Sequence, residues 1–478
     1  MNQMVSLPHI DQQKEAIHRT FQRQKKHQFV VAKTTAAQRI KKLQALHDSI
    51  MRHQDEIRKA VYEDFRKPGP EVDLTEIFPV TNEIKHAKRN LKHWMKDKKV
   101  STPLALLGSS SYIKYQPKGV VLIIAPWNYP FNLSFYPLVS AIAAGNCVIL
   151  KPSEHTPFSS KVMRKIISEV FPEEEVSMFE GGIPTSTALL QMPFNHVFFT
   201  GSPEVGIIVM RAAAKNLASV TLELGGKSPT IIDETADLKL CVKRMVWGKF
   251  SNSGQICIAP DYVFVHESKK EALLDLMKQT IKQYYSDNPI ESKDYAHIIN
   301  EKHFNRTVHL IEEAVEQGAK IEIGGTFDIK TNFIHPTVLS EVPMHSKIMN
   351  FEIFGPALPV ITYRNIEETI DYINSKEKPL ALYIYSKNKK NIKKVVEETR
   401  AGTTAINHNK IQFFNLNMPF GGDNHSGIGS SHGFFGFLAF SHSRAILKQW
   451  APLSAIELLT PPYNDLKQKL IDLSIKWL

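Results

Sequence analysis

Across residues 11–67 the apolar positions Ile40, Leu43, Leu46, Ile50, Ile57, Val61 and Phe65 recur every three or four places, with Lys, Arg and Gln between them. That period lines one face of a helix, so the region predicts long amphipathic helix, and 73–99 predicts a second, charged one ending before Thr102-Pro103. From Gly119 the pattern changes to short apolar runs, 120–125, 147–150, 197–199 and 230–232, bounded by turn residues and separated by helical stretches. Such alternation predicts parallel strands with crossover helices rather than a sandwich. A doubly wound α/β domain follows, and 262–265, 357–361 and 381–385 repeat the theme for a second. Residues 109–116, with their serines, Tyr112 and Tyr115, read as a strand or arm suited to pairing with another subunit. From Ala401 to Phe437 the chain is rich in Gly, Asn, Phe and His and reads as ordered loop, since its aromatics argue against disorder. In 461–478, Leu466, Leu470, Ile471 and Ile475 fall at helical spacing beside Lys467, Lys469 and Lys476, a pattern for core packing, subunit docking or contact with a membrane surface.

The 478 residues hold about three domains' worth of core at ~150 residues each. A net charge of +11 admits nucleic acid, an acidic membrane surface or a solvated basic exterior. The lysines are scattered along helices without a recognition-module signature, which favours the solvated exterior and predicts no nucleic-acid partner. Three cysteines, far apart, argue against a disulfide framework or Cys-rich zinc site and suit a reducing cytoplasm. Residues 1–10 lack the basic, apolar and small-residue regions of a secretory leader, and no apolar run reaches the ~18 residues of a spanning helix. No Walker motif, His-Glu-x-x-His or EF-hand loop occurs and the 19 histidines form no ligand cluster, so no catalytic metal is expected.

The candidate chemistry is concentrated between Thr221 and Pro260, where Glu223-Leu224-Gly225-Gly226-Lys227-Ser228-Pro229 is followed by Ser253-Gly254-Gln255-Ile256-Cys257. A carboxylate and a thiol on glycine-punctuated backbone can divide a two-step reaction, the sulfur forming an adduct and the carboxylate activating the water that releases it. Cys147, opening an apolar run, and Cys241, on a helical face, read as core; Cys257 stands in a polar loop whose amides would lower its pKa. Glu223, ending a strand, would have its pKa raised by desolvation. Asn128, in Pro126-Trp127-Asn128-Tyr129-Pro130, belongs at the carboxyl edge of a sheet, either as a turn former or as a donor to an oxyanion. In Phe199-Thr200-Gly201-Ser202-Pro203-Glu204-Val205-Gly206, Ser202 suits an N-cap and Pro203 the first helical position, giving an anion site or an ordinary strand-helix turn. Lys151-Pro152-Ser153-Glu154 ends another strand, as a binding element or a solvated charged turn.

These segments, with Glu352-Ile353-Phe354-Gly355-Pro356 and Met418-Pro419-Phe420-Gly421-Gly422, resemble the motifs of the aldehyde dehydrogenase superfamily in order and spacing from Gly119 to Phe437. The ending through His425-Ser426-Gly427-Ile428-Gly429 to His432-Gly433 is most similar to the class 3 branch of fatty, aromatic and coniferyl-type enzymes, while Asp423-Asn424 departs from it and bears on substrate preference. The resemblance implies NAD(P)-dependent oxidation of a small-molecule aldehyde to an acid through a Cys257 thiohemiacetal and thioester. Asn128 would serve the oxyanion and Glu223 would be the base. It implies cofactor contacts at Trp127, Lys151, Glu154, Gly201, Ser202, Gly206, Leu224, Gly225, Glu352 and Phe354. A carboxylate at Glu154 would repel a 2′-phosphate, which favours NAD over NADP. The expected organisation is two doubly wound parallel-sheet domains plus a small oligomerisation arm: 1–222 for the cofactor, with the arm near 109–118, 223–405 for catalysis, and 406–478 as C-terminal loop, oligomerisation and tail segment. A homodimer is implied. Rival readings are an acylating or reductive semialdehyde dehydrogenase, which Glu223 opposes, a cysteine hydrolase pairing Cys257 with His266, and a basic binding protein. Trp127, Phe131, Phe413 and Phe414 are candidates for an apolar substrate funnel.

Overall fold

The computed structural model describes residues 7–477, with side chains from 11 to 476; residues 1–6, part of the stretch read for a leader, lie outside the described residues. The N-terminal amphipathic region folds as three helices, Leu7–Ala32, Ala36–Arg52 and Gln54–Phe65. The break at Thr35 is a capping box: its hydroxyl accepts from the Gln38 N–H while the Gln38 side chain accepts from Thr35 N–H at 2.8 Å, a device worth about 1 kcal/mol. Leu43, Leu46, Ile50, Ile57, Val61 and Phe65 are all buried, as their period requires. The next helical stretch runs without a break through Gly69–Val72, the π-helical turn Asp73–Ile77 and Phe78–Trp94, so the charged helix expected from 73 is present but ends at Trp94, and Lys98–Val100 is a strand.

The first sheet runs Val176–Met178, Cys147–Lys151, Val120–Ile124, His196–Gly201, Ser219–Leu224, all parallel, with Gly427–Ile428 antiparallel on the last edge. Every residue of Val120–Ile124 and Cys147–Lys151 is buried, which is why these strands read as unbroken apolar runs rather than alternations. Chain order reverses between Val120–Ile124 and His196–Gly201, so a crevice opens at their carboxyl ends. The second sheet runs Lys320–Ile323, Thr337–Ser340, Ala357–Tyr363, Tyr262–His266, Pro229–Ile232, Ala381–Tyr385, Thr403–Ile406, parallel except for the first. Thr403–Ile406 and the helix Gly433–Ala439 fall in the stretch expected to be loop. The strand is a half-buried edge rich in threonine and the helix is glycine-rich, so neither carries the apolar period that marks an element from sequence.

A third, antiparallel sheet joins Lys98–Val100, Ser109–Pro117 and Ser441–Gln449. Ser109–Pro117 is the central strand, paired along its length with Ser441–Gln449 and over Ser111–Ile113 with Lys98–Val100, so the expectation that this strand is the one offered to another subunit is corrected: the open edges belong to Lys98–Val100 and Ser441–Gln449. The tail forms the helix Asp465–Trp477, and among the described residues no helix is long and apolar enough to cross a membrane.

Candidate active site

The carboxyl ends of the first sheet face loops that enter the amino ends of strands in the second. Between them lies a cleft of about 490 Å³ whose walls include Trp127, Asn128, Gly201, Ser202, Glu223, Leu224, Gly225, Cys257, Glu352 and Phe354. Lys151, Glu154 and Gly206 do not line it. Lys151 and Glu154 pair at 2.9 Å beyond the strand Cys147–Lys151, and Gly206 packs the helix Pro203–Ala214 onto Leu224.

The thiol is set by a bent loop. Asn252, Ser253 and Gly254 have φ of 51°, 51° and 74°, three successive residues in the left-handed region, and a Cβ at Gly254 would overlap the Gly355 carbonyl. Gln255, fully buried, braces the bend by donating to Asn252 O at 2.9 Å and His297 O at 3.0 Å and accepting from Ile299 N–H. Asn128 donates to Gln255 O at 3.0 Å, and Asn252 donates to Asn128 O at 3.0 Å, so the two loops are bolted together. The loop does not lower the thiol pKa as expected. Burial, then the Glu352 and Glu223 carboxyls, push the Cys257 thiol well up, and the amides of Cys257 and Ile258 offset only part of this. Cys147 and Cys241 are buried, and burial pushes the Cys147 thiol up to about 12.

Glu223 lies within its strand, buried, where desolvation raises its pKa to about 7. Its carboxylate accepts from the Ser431 hydroxyl and, at 3.5 Å, from Thr200. Ser431 is 208 positions away in the chain, so no local spacing could have revealed it. Glu352 is raised to about 8 by burial and then by Asp261. A brace that sequence reading also missed holds it. Lys227 bonds Asp261 and donates to Ile348 O at 2.7 Å, Asp261 accepts from Ile353 N–H at 2.9 Å, and Arg306 donates to the carbonyls of Ile353 and Glu352. Lys227 lies inside the first quoted motif and Asp261 just beyond the second, which was the available signal.

Behind Cys257 a smaller cavity, about 60 Å³, is lined by Tyr129, Leu133, Trp247, Ile256, Ile258, Phe413 and Phe414 among others. Only Leu133 and Cys257 line both cavities. Of the aromatics proposed for a funnel, Phe413 and Phe414 are here, Trp127 is on the larger cleft with its ring 5.4 Å from Phe354, and Phe131 is core. His266 stands at the carboxyl end of the central strand Tyr262–His266, whereas the Cys257 loop enters at its amino end, and it bonds Ser268, which leaves the hydrolase pairing without a base.

With this geometry in place the comparisons decide the family. The model of the aldehyde dehydrogenase family matches residues 3–446. The chain belongs to the aldehyde dehydrogenase family. Among similar proteins, a putative aldehyde dehydrogenase AldX of Bacillus subtilis is 45% identical over 92% of this chain and 99% of its own. Aldehyde dehydrogenase family 3 member A2 of Macaca fascicularis is 42% identical over 90% and 88%. A solved structure described as the substrate-bound state of Staphylococcus aureus AldH has a TM-score of 0.92 at 40% identity, covering 96% of this chain and 99% of that one. The dehydrogenase thus oxidises aldehydes with a nicotinamide dinucleotide, as the family resemblance implied.

The cleft fits that cofactor on its own features. Ser202 caps the helix Pro203–Ala214 by accepting from Val205 N–H beside the cleft, and a Cβ at Gly225 would overlap the Glu352 carboxylate, so glycine keeps the floor of the cleft open.

Proposed function

We propose that this dehydrogenase oxidises an apolar aldehyde to its carboxylic acid, with Cys257 as nucleophile, Asn128 as oxyanion donor and Glu223 as base. The observation that carries the reading is that Cys257 stands where the large cleft and the small aromatic cavity meet, with Glu223 on the cleft side. An aldehyde in the smaller cavity meets mostly apolar and aromatic walls near the sulfur, with Thr75, Asn132 and Lys410 also on its lining.

Sulfur attack on the carbonyl carbon places negative charge on oxygen, which the remaining Asn128 amide proton and the Cys257 N–H can receive; one such donor is worth ~3 kcal/mol. When bound, the cofactor supplies the hydride acceptor that turns the thiohemiacetal into a thioester. Ser202 and Gly201 would hold its phosphates, and Glu352 and Phe354 its nicotinamide half. Glu223, near-neutral in pKa and dry, then draws a proton from water attacking the thioester. Glu154 supports NAD over NADP: burial opposes its charge, but Lys151 and the loop amide hold it below the usual carboxylate range. Free thiols support a cytoplasmic setting, and the open Ser441–Gln449 edge with exposed Leu447 supports a homodimer.

A panel of aliphatic and aromatic aldehydes with NAD and with NADP, followed at the reduced-cofactor absorbance, tests the reading. Apolar aldehydes with NAD should turn over best; retained oxidation by Cys257→Ala would remove the sulfur from the mechanism.

A further inference from the structure

The small cavity behind Cys257 carries two polar features that no step above uses. The first is Lys410, which shares the lining with Trp247, Phe413 and Phe414. The residue is 6% exposed, its Nζ donates to Ser251 Oγ at 2.5 Å and to Trp247 O at 3.3 Å, and it stands 3.8 Å from the centre of the Trp247 ring. Among the described residues no carboxylate forms an ion pair with it; Lys67, the other buried lysine beside this cavity, has Glu76 at 2.9 Å. Lys410 also holds φ at 60°, so the chain keeps a lysine where the backbone favours glycine. The second feature is Asn132, 3% exposed. Its backbone N–H donates to Glu76 at 3.0 Å and its Nδ2 to Thr75 O at 3.0 Å, but its Oδ1 is buried without a partner.

We propose that Lys410 is a specificity-determining residue of the dehydrogenase, selecting an aldehyde whose apolar body carries, away from the carbonyl, a hydroxyl or carboxylate oxygen that accepts from the Lys410 amine inside the cavity. The inference rests on the reading of this cavity as the aldehyde's and narrows it. Cys257 and Lys410 line the same cavity of about 60 Å³, so a molecule whose carbonyl meets the sulfur has its other end among walls that include the amine. An ammonium has three N–H groups, and Ser251 and Trp247 O take two of them. The third faces only what a ring can offer, which replaces lost hydration in part. A ligand oxygen there adds a charge-assisted hydrogen bond where water does not compete.

The two oxygens share this chemistry and differ in what else they meet. A carboxylate brings the counter-charge that Lys410 lacks, whereas a hydroxyl has a proton for the orphaned Asn132 Oδ1. An alkyl end supplies neither. Because Lys410 keeps Ser251 and Trp247 O when an alkyl end arrives, the discrimination should be about 10-fold rather than the roughly 10,000-fold of a site whose donors are stranded. The alternative is that Lys410 merely caps the helix Leu238–Phe250, whose Trp247 carbonyl it takes near the last turn. A cap would affect every aldehyde alike.

The test is a ratio taken within one enzyme, which cancels any loss common to both substrates. With the holoenzyme, kcat/KM is measured for benzaldehydes bearing a para methyl, hydroxyl or carboxylate group, and for straight-chain alkanals beside ω-oxo acids of equal length. In the wild type, at least one oxygen-bearing member should exceed its alkyl counterpart, and Lys410→Met should lower that ratio about 10-fold or more. A fall confined to the carboxylates assigns an anionic end, and one confined to the hydroxyl a neutral end. Ratios that Lys410→Met leaves within about twofold, or an equal loss with every aldehyde, overturn the proposal. If Lys410→Met does not fold, Lys410→Gly, which suits the φ of 60°, decides by the same ratio. Phe414→Trp, run alongside to fill the cavity, separates the readings. Unimpaired oxidation of the alkyl aldehydes there rejects the cavity as the aldehyde's, whereas impaired oxidation with unmoved ratios in the Lys410 variant rejects the role of Lys410 alone.

Discussion

At the scale of single residues, the environment of Glu223, the proposed base, sets the pH at which the dehydrogenase should work. A carboxyl raised to about 7 is mostly protonated below that value and cannot accept from water, so turnover limited by deacylation should climb as pH rises through about 7 and flatten above it. A Glu223→Gln variant should keep the first-turnover burst and lose steady-state rate by about 100-fold or more; rapid-mixing absorbance measures both. Gly225 makes a comparable claim. Because any side chain there would overlap the Glu352 carboxylate, Gly225→Ala should raise the KM for the nicotinamide cofactor several-fold, on the order of 1 kcal/mol of binding, while thermal stability changes little.

Between elements, the cleft is held by braces that link segments far apart in sequence. Lys227, Asp261 and Arg306 tie the loops before three strands of the second sheet, and Lys227→Met should loosen the loop bearing Glu352, raising cofactor KM more than it lowers kcat. Lys67 and Glu76 form a fully buried ion pair at 2.9 Å, with the ammonium 3.8 Å from the Tyr129 ring centre beside the apolar cavity. Removing one partner leaves a buried charge, so Glu76→Gln should destabilise the fold by about 3–5 kcal/mol in denaturant titration. These braces also mark what the sequence could and could not disclose. The strands Val120–Ile124 and Cys147–Lys151 were legible because burial on both faces writes an unbroken apolar run, and Ser202 and Pro203 because helix starts have local chemistry. Cys257, Glu223 and Asn128 were legible as motifs. What braces them was not: Ser431 on Glu223 and the bonds from Gln255 to His297 and Ile299 are contacts the chain makes only after folding, and a thiol pKa depends on burial that no loop composition states.

For the molecule as a whole, the small antiparallel sheet sets the expected assembly. Ser441–Gln449 offers an unpaired edge and Leu447 is more than half exposed on it, an arrangement that leaves apolar surface in water unless a second copy covers it. Leu447→Glu should halve the mass seen by light scattering at micromolar protein while leaving the secondary structure seen by circular dichroism intact.

The position of Cys257 between two separate hollows has a kinetic corollary. Visitors from the two directions do not share a doorway, so a long hydrocarbon tail left protruding on the aromatic side is no obstacle to exchange of spent dinucleotide on the other. Product inhibition by the acid should then be competitive toward the aldehyde and non-competitive toward the dinucleotide, and lengthening the tail should alter the first pattern alone.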